Sequence, residues 1–188
     1  MTISVRVVDG AEAADRLSGL SDILLDCVEG GASVSFMWPM TRAEAAAFWT
    51  GVIAGVAAGE RVLIVAEDAD GPLGTVQVVL AQPPNQPHRG DVSKMLVHRR
   101  ARRRGVGALL MRAAEAAAKA AGKTLLVLDT ASPEAERLYE RSGWIRVGVI
   151  PNYSLLPDGA PCDTTYFYKA LDRADGAEAA PTTGCPPP

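Results

Sequence analysis

The chain has 188 residues, 48% hydrophobic and 22% charged, with a formal net charge of −3. That is an ordinary globular balance for one domain with a real core, and it gives the protein no global pull toward nucleic acid. No run of about 18 apolar residues predicts a membrane span. The start, Met1 to Gly10, lacks the basic-then-apolar order of a secretory signal. Cys27, Cys162 and Cys185 are odd in number and scattered, which fits neither a disulfide framework nor a zinc site. A reduced cytoplasm and no metal are the expectations.

In chain order, Ile3 to Val8 alternates and reads as a strand. Leu17, Leu20, Leu24 and Val28 place one amphipathic helix over Ala11 to Val28, ended by Gly30 and Gly31. Ala32 to Pro39 reads as a loop lying in the body of the protein. Thr41 and Glu44 form a capping box for a helix with Ala45, Phe48, Trp49, Val52, Ile53 and Val56 on one face. Arg61–Glu67 and Leu73–Ala81 form an antiparallel hairpin about the turn Asp68–Pro72, and a proline-rich loop follows over Gln82–Gly90. Asp91 to Val97 is a strand and His98 to Arg104 a strongly basic turn. A helix from Arg104 to Ala121 buries Val106, Leu109, Leu110, Ala113 and Ala117. The next strand, Thr124–Leu128, is joined by that helix and therefore runs parallel to Asp91–Val97. Ser132-Pro133-Glu134 starts a short helix carrying Ala135, Leu138 and Tyr139. Strands at Trp144–Ile150 and Thr164–Leu171 flank a turn-rich loop, Pro151–Pro161. The chain from Asp172 onward is expected to be disordered.

A strand, a glycine-containing turn and a helix start form a phosphate-holding device. Residues 92–110 have that order. A Rossmann fingerprint would need glycine at position 110, which is Leu, although Asp129 does end the next strand. Gly122-Lys123-Thr124 resembles the end of a P-loop, but position 117 is Ala and the lysine precedes a strand. Arg102-Arg103-Arg104-Gly105-Val106-Gly107 matches a third pattern, [Q/R]-x-x-G-x-[G/A]. Ala135-Glu136-Arg137-Leu138-Tyr139 and Gly143-Trp144 follow some 30 residues later.

Together these stretches resemble the GNAT superfamily of acyl-CoA-dependent N-acetyltransferases. Cys27–Phe36, Leu128-Asp129-Thr130 and Pro157-Asp158-Gly159 look like the subgroup that includes the tabtoxin-resistance acetyltransferases. The resemblance implies an α/β (α+β) domain over residues 1–171. It implies a mostly antiparallel sheet of about seven strands with a central parallel pair, and about four helices. Residues 172–188 would be the tail.

It implies acetyl-CoA as acyl donor, with pyrophosphate on Arg103, Arg104, Gly105, Val106, Gly107 and Ala108. Arg102 would lie near the phosphates, the pantetheine arm along Met95, Leu96 and Val97, and Ser132 nearby. Tyr139 becomes a general acid. Asp129 could bind or deprotonate the amine, and Ser33, Ser35 and Phe36 could line an acceptor pocket. The acceptor would be a small-molecule amine, and family likeness also implies a homodimer. The chain departs from many members at Arg99, where they carry proline, and at Ser132, where they carry asparagine. A protein N-acetyltransferase and a non-catalytic acyl-CoA-binding module are the alternatives. The arginine run, Arg99 to Arg104, could instead grip nucleic acid, but little aromatic interleaving accompanies it. Phosphate contact in the cofactor is the favoured reading.

Overall fold

A computed structural model describes residues 2–171; the expected C-terminal tail and Cys185 lie outside the described residues. The elements are β1 (Ser4–Val8), α1 (Gly10–Asp15), α2 (Leu17–Glu29), α3 (Arg42–Ala57), β2 (Arg61–Asp68), β3 (Gly71–Val79) and β4 (Arg89–Val97). A single 3-10 turn at Arg99–Ala101 leads to α4 (Val106–Ala120), β5 (Leu125–Thr130), α5 (Pro133–Arg141), β6 (Ile145–Leu155) and β7 (Pro161–Ala170). The seven strands form one sheet in the order β1-β2-β3-β4-β5-β7-β6. Only β4 and β5 pair in parallel; every other neighbouring pair is antiparallel. The expected mixed α/β architecture is therefore present. Among the described residues no helix is long and apolar enough to cross a membrane.

Strand alternation divides the interior into two cores. On β2, Ile64 and Ala66 pack with α4, while Leu63 and Val65 face the other way into α1, α2 and α3. Both faces of the central strands are thus apolar, which is why β2 and β3 read as nearly continuous hydrophobic runs. The capping box at Thr41 and Glu44 forms as expected. A second one, Asp9 with Glu12, starts α1.

Four expectations need correction. The helix expected over Ala11–Val28 is two helices, because the chain turns at Arg16. There Arg16 sets its guanidinium fork on Glu67 of β2, at 2.8 and 3.0 Å, an ion pair that periodicity cannot reveal. The five helices follow from this break.

The buried face of α4 is also rotated. Val106, Leu110, Met111, Ala114 and Ala118 are fully buried, whereas Leu109, Ala113 and Ala117 are only partly so. An alanine-rich helix offers several equivalent apolar faces, and close approach to β3 chooses among them. A Cβ on Gly74 would lie 2.8 Å from the Leu96 carbonyl and 3.1 and 3.2 Å from Leu110 and Val106. Next, β6 runs on through most of the expected Pro151–Pro161 loop, with an irregularity between Ile150 and Ser154 that absorbs Pro151. Finally, the second half of the Ala32–Pro39 loop is exposed, Met37 and Trp38 included.

Candidate active site at the split between two parallel strands

β4 and β5 pair only from Arg89↔Leu125 to Asp91↔Val127. Beyond Asp91 the strands diverge, although β4 stays on β3 to Val97 and β5 stays on β7 to Thr130. The edges Val92–Val97 and Leu128–Thr130 therefore face each other without a ladder between them. A bulge in β4 accentuates the split. From Gln77↔Ser93 to Thr75↔Leu96, β4 uses one residue more than β3, and Lys94 takes a left-handed φ of 50°.

The basic turn sits at the wide end of this split. Arg103 and Gly105 are left-handed, with φ of 61° and 79°. Gly105 is the N-cap of α4 and no side chain caps that helix. The first-turn amides of Val106, Gly107 and Ala108 have no intrahelical acceptor, so they project outward with the positive end of the helix dipole. Left-handed residues beside a helix start make an anion-binding concavity. Gly107 keeps the floor open: its missing Cβ would lie 3.0 Å from Leu138 of α5 and 3.9 Å from the Met95 sulfur. The side chains of Leu96 and Val106 are core, so these two residues present only backbone here. Ser132 caps α5 through its hydroxyl, accepting from Ala135 N at 3.3 Å.

Four of the five arginines have partners within the chain. Arg99 donates from its backbone and Nε to buried Asp26 of α2, at 2.8 and 2.7 Å, and also pairs with Glu29. Arg100 donates to the Pro72 carbonyl, Arg102 to the Val97 carbonyl at 3.3 Å, and Arg104 pairs with Asp68 at 3.7 Å. Asp26 thus holds the start of the turn. Burial pushes the Asp26 pKa up, but the hydrogen bonds from Arg99 and the charges of His98 and Arg99 outweigh it, leaving the carboxyl below its ordinary value.

Asp129 and Tyr139 approach the split from opposite faces. Leu126 and Leu128 point into the α4 core, so Asp129 at the end of β5 points to the α2–α3 side. Tyr139 lies in the α4 core, 4% exposed, with its ring 6.1 Å from Trp144 and 5.7 Å from Phe167. Burial, and then the charge of Asp129, push its hydroxyl well above the ordinary tyrosine pKa. Asp129 is itself raised by burial; Lys94 opposes the shift and Asp91 adds to it.

Ser33, Ser35 and Phe36 gather on the Asp129 side. Ser33 Oγ lies 3.2 Å from Ser154 Oγ, which lies 3.1 Å from Cys162 Sγ. Ser35 accepts from Lys94 Nζ at 3.1 Å, and Phe36 stacks edge-on against Phe48 at 5.1 Å. Directly opposite Asp129 on β7 stands Tyr166, whose hydroxyl donates to that of Tyr153 at 2.7 Å. That bond first, and burial second, raise the Tyr166 pKa to about 12.

Sequence reasoning missed Lys94, Asp91, Tyr153 and Tyr166. The signal available for Lys94 was one charge inside an apolar strand. For the tyrosines there was none, because strand register brings them to the site. Among the described residues no cluster of three or more His, Cys, Asp or Glu side chains is placed to hold a metal ion, and Cys27 and Cys162 are free thiols.

Residues 59–146 match the family model described as the acetyltransferase (GNAT) domain. That stretch, a little under half of the chain, is similar to a GNAT acetyltransferase domain. The fold is similar to an N-acetyltransferase from Staphylococcus aureus Mu50, at 22% identity and a TM-score of 0.74, covering 92% of this chain and 100% of that one. A GNAT superfamily phosphinothricin acetyltransferase from Sinorhizobium meliloti, solved in complex with acetyl-CoA, is 21% identical with a TM-score of 0.75, covering 98% and 95%. A ribosomal-protein-alanine N-acetyltransferase from Brucella melitensis is 20% identical with a TM-score of 0.72, covering 89% and 99%.

The Asp26 clamp has a signed pH dependence. A carboxylate with a depressed pKa stabilises the fold above its unfolded pKa, and the effect is lost as pH falls through the folded value. Asp26→Asn should cost about 1–3 kcal/mol at pH 7, with the gap to wild type shrinking only below about pH 4. Urea unfolding of both proteins across pH checks this; a gap that is constant down to acid pH removes the ion pair as its cause.

Proposed function

We propose that this protein is an acetyl-CoA-dependent N-acetyltransferase acting on the primary amine of a small molecule, amino-acid-like or an antibiotic or toxin amine, by direct attack in a ternary complex. The observation that carries the reading is the split itself. An uncapped glycine turn stands at its wide end, and Asp129 and Tyr139 border it from opposite faces. The residues fit the donor. The left-handed Arg103 and Gly105 and the free amides of Val106, Gly107 and Ala108 suit a pyrophosphate. Arg102, Arg103 and Arg104 add charge, and Met95, Leu96 and Val97 offer a strand edge to an amide-containing arm. The internal partners of Arg99, Arg100, Arg102 and Arg104 also favour a cofactor rim over a nucleic-acid surface.

Bound acetyl-CoA supplies the acetyl thioester. The chain's tasks are to hold it, free the amine of its proton and return a proton to the departing sulfur. A lysine-like amine is protonated at neutral pH, with a pKa near 10.4. Asp129 is a stronger base than a free aspartate because its pKa is raised, and it receives or anchors the amine, directly or through water. Tyr139, held protonated by its environment, is the donor to sulfur. Ser33, Ser35 and Phe36 line the acceptor side, which supports the likeness to the tabtoxin-resistance subgroup carried by Cys27–Phe36. A homodimer has support of its own: the sheet-edge strand β6 exposes Ile145, Val147, Val149, Ile150, Tyr153 and Leu155.

Thiol release over a panel of amino acids, β-lactam amino acids, aminoglycosides, polyamines and peptides tests the activity directly. On the best acceptor, Tyr139→Phe should lower kcat by about 100-fold or more while acetyl-CoA affinity stays unchanged; an unchanged rate removes the general-acid role. In wild type kcat/KM should fall as pH drops through an Asp129 pKa above the usual aspartate value, and Asp129→Asn should lose this limb. For the assembly, sedimentation should give a dimer that Val147→Lys converts to monomer; a monomeric wild type contradicts it.

A further inference from the structure

Lys94 is the only charged side chain in Val92–Val97, and it stands at the bulge beside the split. Its Nζ donates to Ser35 Oγ at 3.1 Å and lies 6.0 Å from the ring centroids of both Phe36 and Phe48. An ammonium has three donors, and one hydroxyl satisfies one of them. At 6.0 Å the aromatic faces act at the outer limit of a cation–π contact. Asp129 influences Lys94 through space, and among the described residues no carboxylate forms an ion pair with it. Partial burial of an ammonium without a counter-anion is costly. Burial correspondingly lowers the Lys94 pKa.

Two strained residues converge on this one contact. Lys94 and Ser35 are both non-glycine residues in the left-handed region, with φ of 50° and 75°. Such strain persists only where surrounding structure enforces it, and it collects at ligand sites. Here it aims a cation at the side of the split that carries Asp129, Ser33 and Phe36. A cation and a carboxylate bordering one acceptor site are complementary to a molecule bearing both charges.

We propose that Lys94 anchors a carboxylate of the acceptor, with Asp129 facing its amine, so that the acceptor class is amino carboxylic acids in preference to polyamines or aminoglycosides. The location of the acceptor rests on the acetyl-transfer reading above. The anchoring itself is a binding property and can be measured without turnover.

The test is calorimetric. The CoA-loaded protein is titrated with glycine, methionine, glutamate and β-alanine, each as free acid and as carboxyl methyl ester. At least one free acid should bind at least about 30-fold more tightly than its ester, the loss expected when a partly buried charge pair is broken. Lys94→Met, which keeps an apolar stem against Phe36 and Phe48, should remove that preference and leave ester binding unchanged. Lys94→Arg should retain part of it, which separates charge from packing. Equal binding of every acid and ester by wild type overturns the proposal, as does a Lys94→Met variant that weakens acid and ester alike. Thiol release measured in parallel keeps the two claims apart. Acid preference without thiol release would sink acetyl transfer and leave the anchor standing.

Discussion

Backbone hydrogen bonding is the constraint on which this molecule turns. A strand inside a sheet satisfies its amides and carbonyls through neighbours on both sides. Here β4 and β5 do so for three residues and then part, while their outer ladders continue undisturbed. The fold can sustain this because antiparallel neighbours, β3 and β7, hold β4 and β5 from outside, and α4 and α5 brace them from one face. The split is thus a product of sheet topology, and the candidate site residues are arranged around it. The glycine turn lies at its wide end, Tyr139 on one face, and Asp129 and Lys94 on the other.

Rigidity of the turn comes from an unusual source. Five arginines in six residues repel one another, and a run of that kind in isolation would be solvated and mobile. Asp26, buried on α2, draws the first of them inward through two short hydrogen bonds, and Glu29 adds a second acid. Arg100, Arg102 and Arg104 then find internal acceptors of their own. What looks in the sequence like a surface charge patch is, in three dimensions, a braced loop. Its spare hydrogen-bonding capacity is the backbone of residues 103–108.

Much of this was legible in the residues. The β2–β3 hairpin, the parallel pair and the helix caps at Thr41 and Ser132 follow from periodicity, connection rules and side chains that compete for backbone amides. The glycine turn follows from spacing. The rest depended on contacts distant in sequence. The helix break falls at Arg16, which pairs with Glu67, 51 residues away. The buried face of α4 is chosen by Gly74. Tyr166 reaches Asp129 only through the register of β7 on β5. Lys94 gains its meaning from a bulge, which a strand pattern does not announce. Asp129 and Tyr139 were nameable from the sequence because a family motif carries them. Their placement on opposite faces of one split could come only from the alternation of β5 against two separate cores.

The proposed function depends on the β4–β5 split and the turn beside it holding acyl-CoA. Amide hydrogen exchange, followed residue by residue with and without CoA, tests it most directly. Added protection is expected at residues 103–108 and along the unpaired edge of β4, with little change on the outer strands β1 and β6. Protection centred elsewhere, or none at saturating CoA, would contradict it.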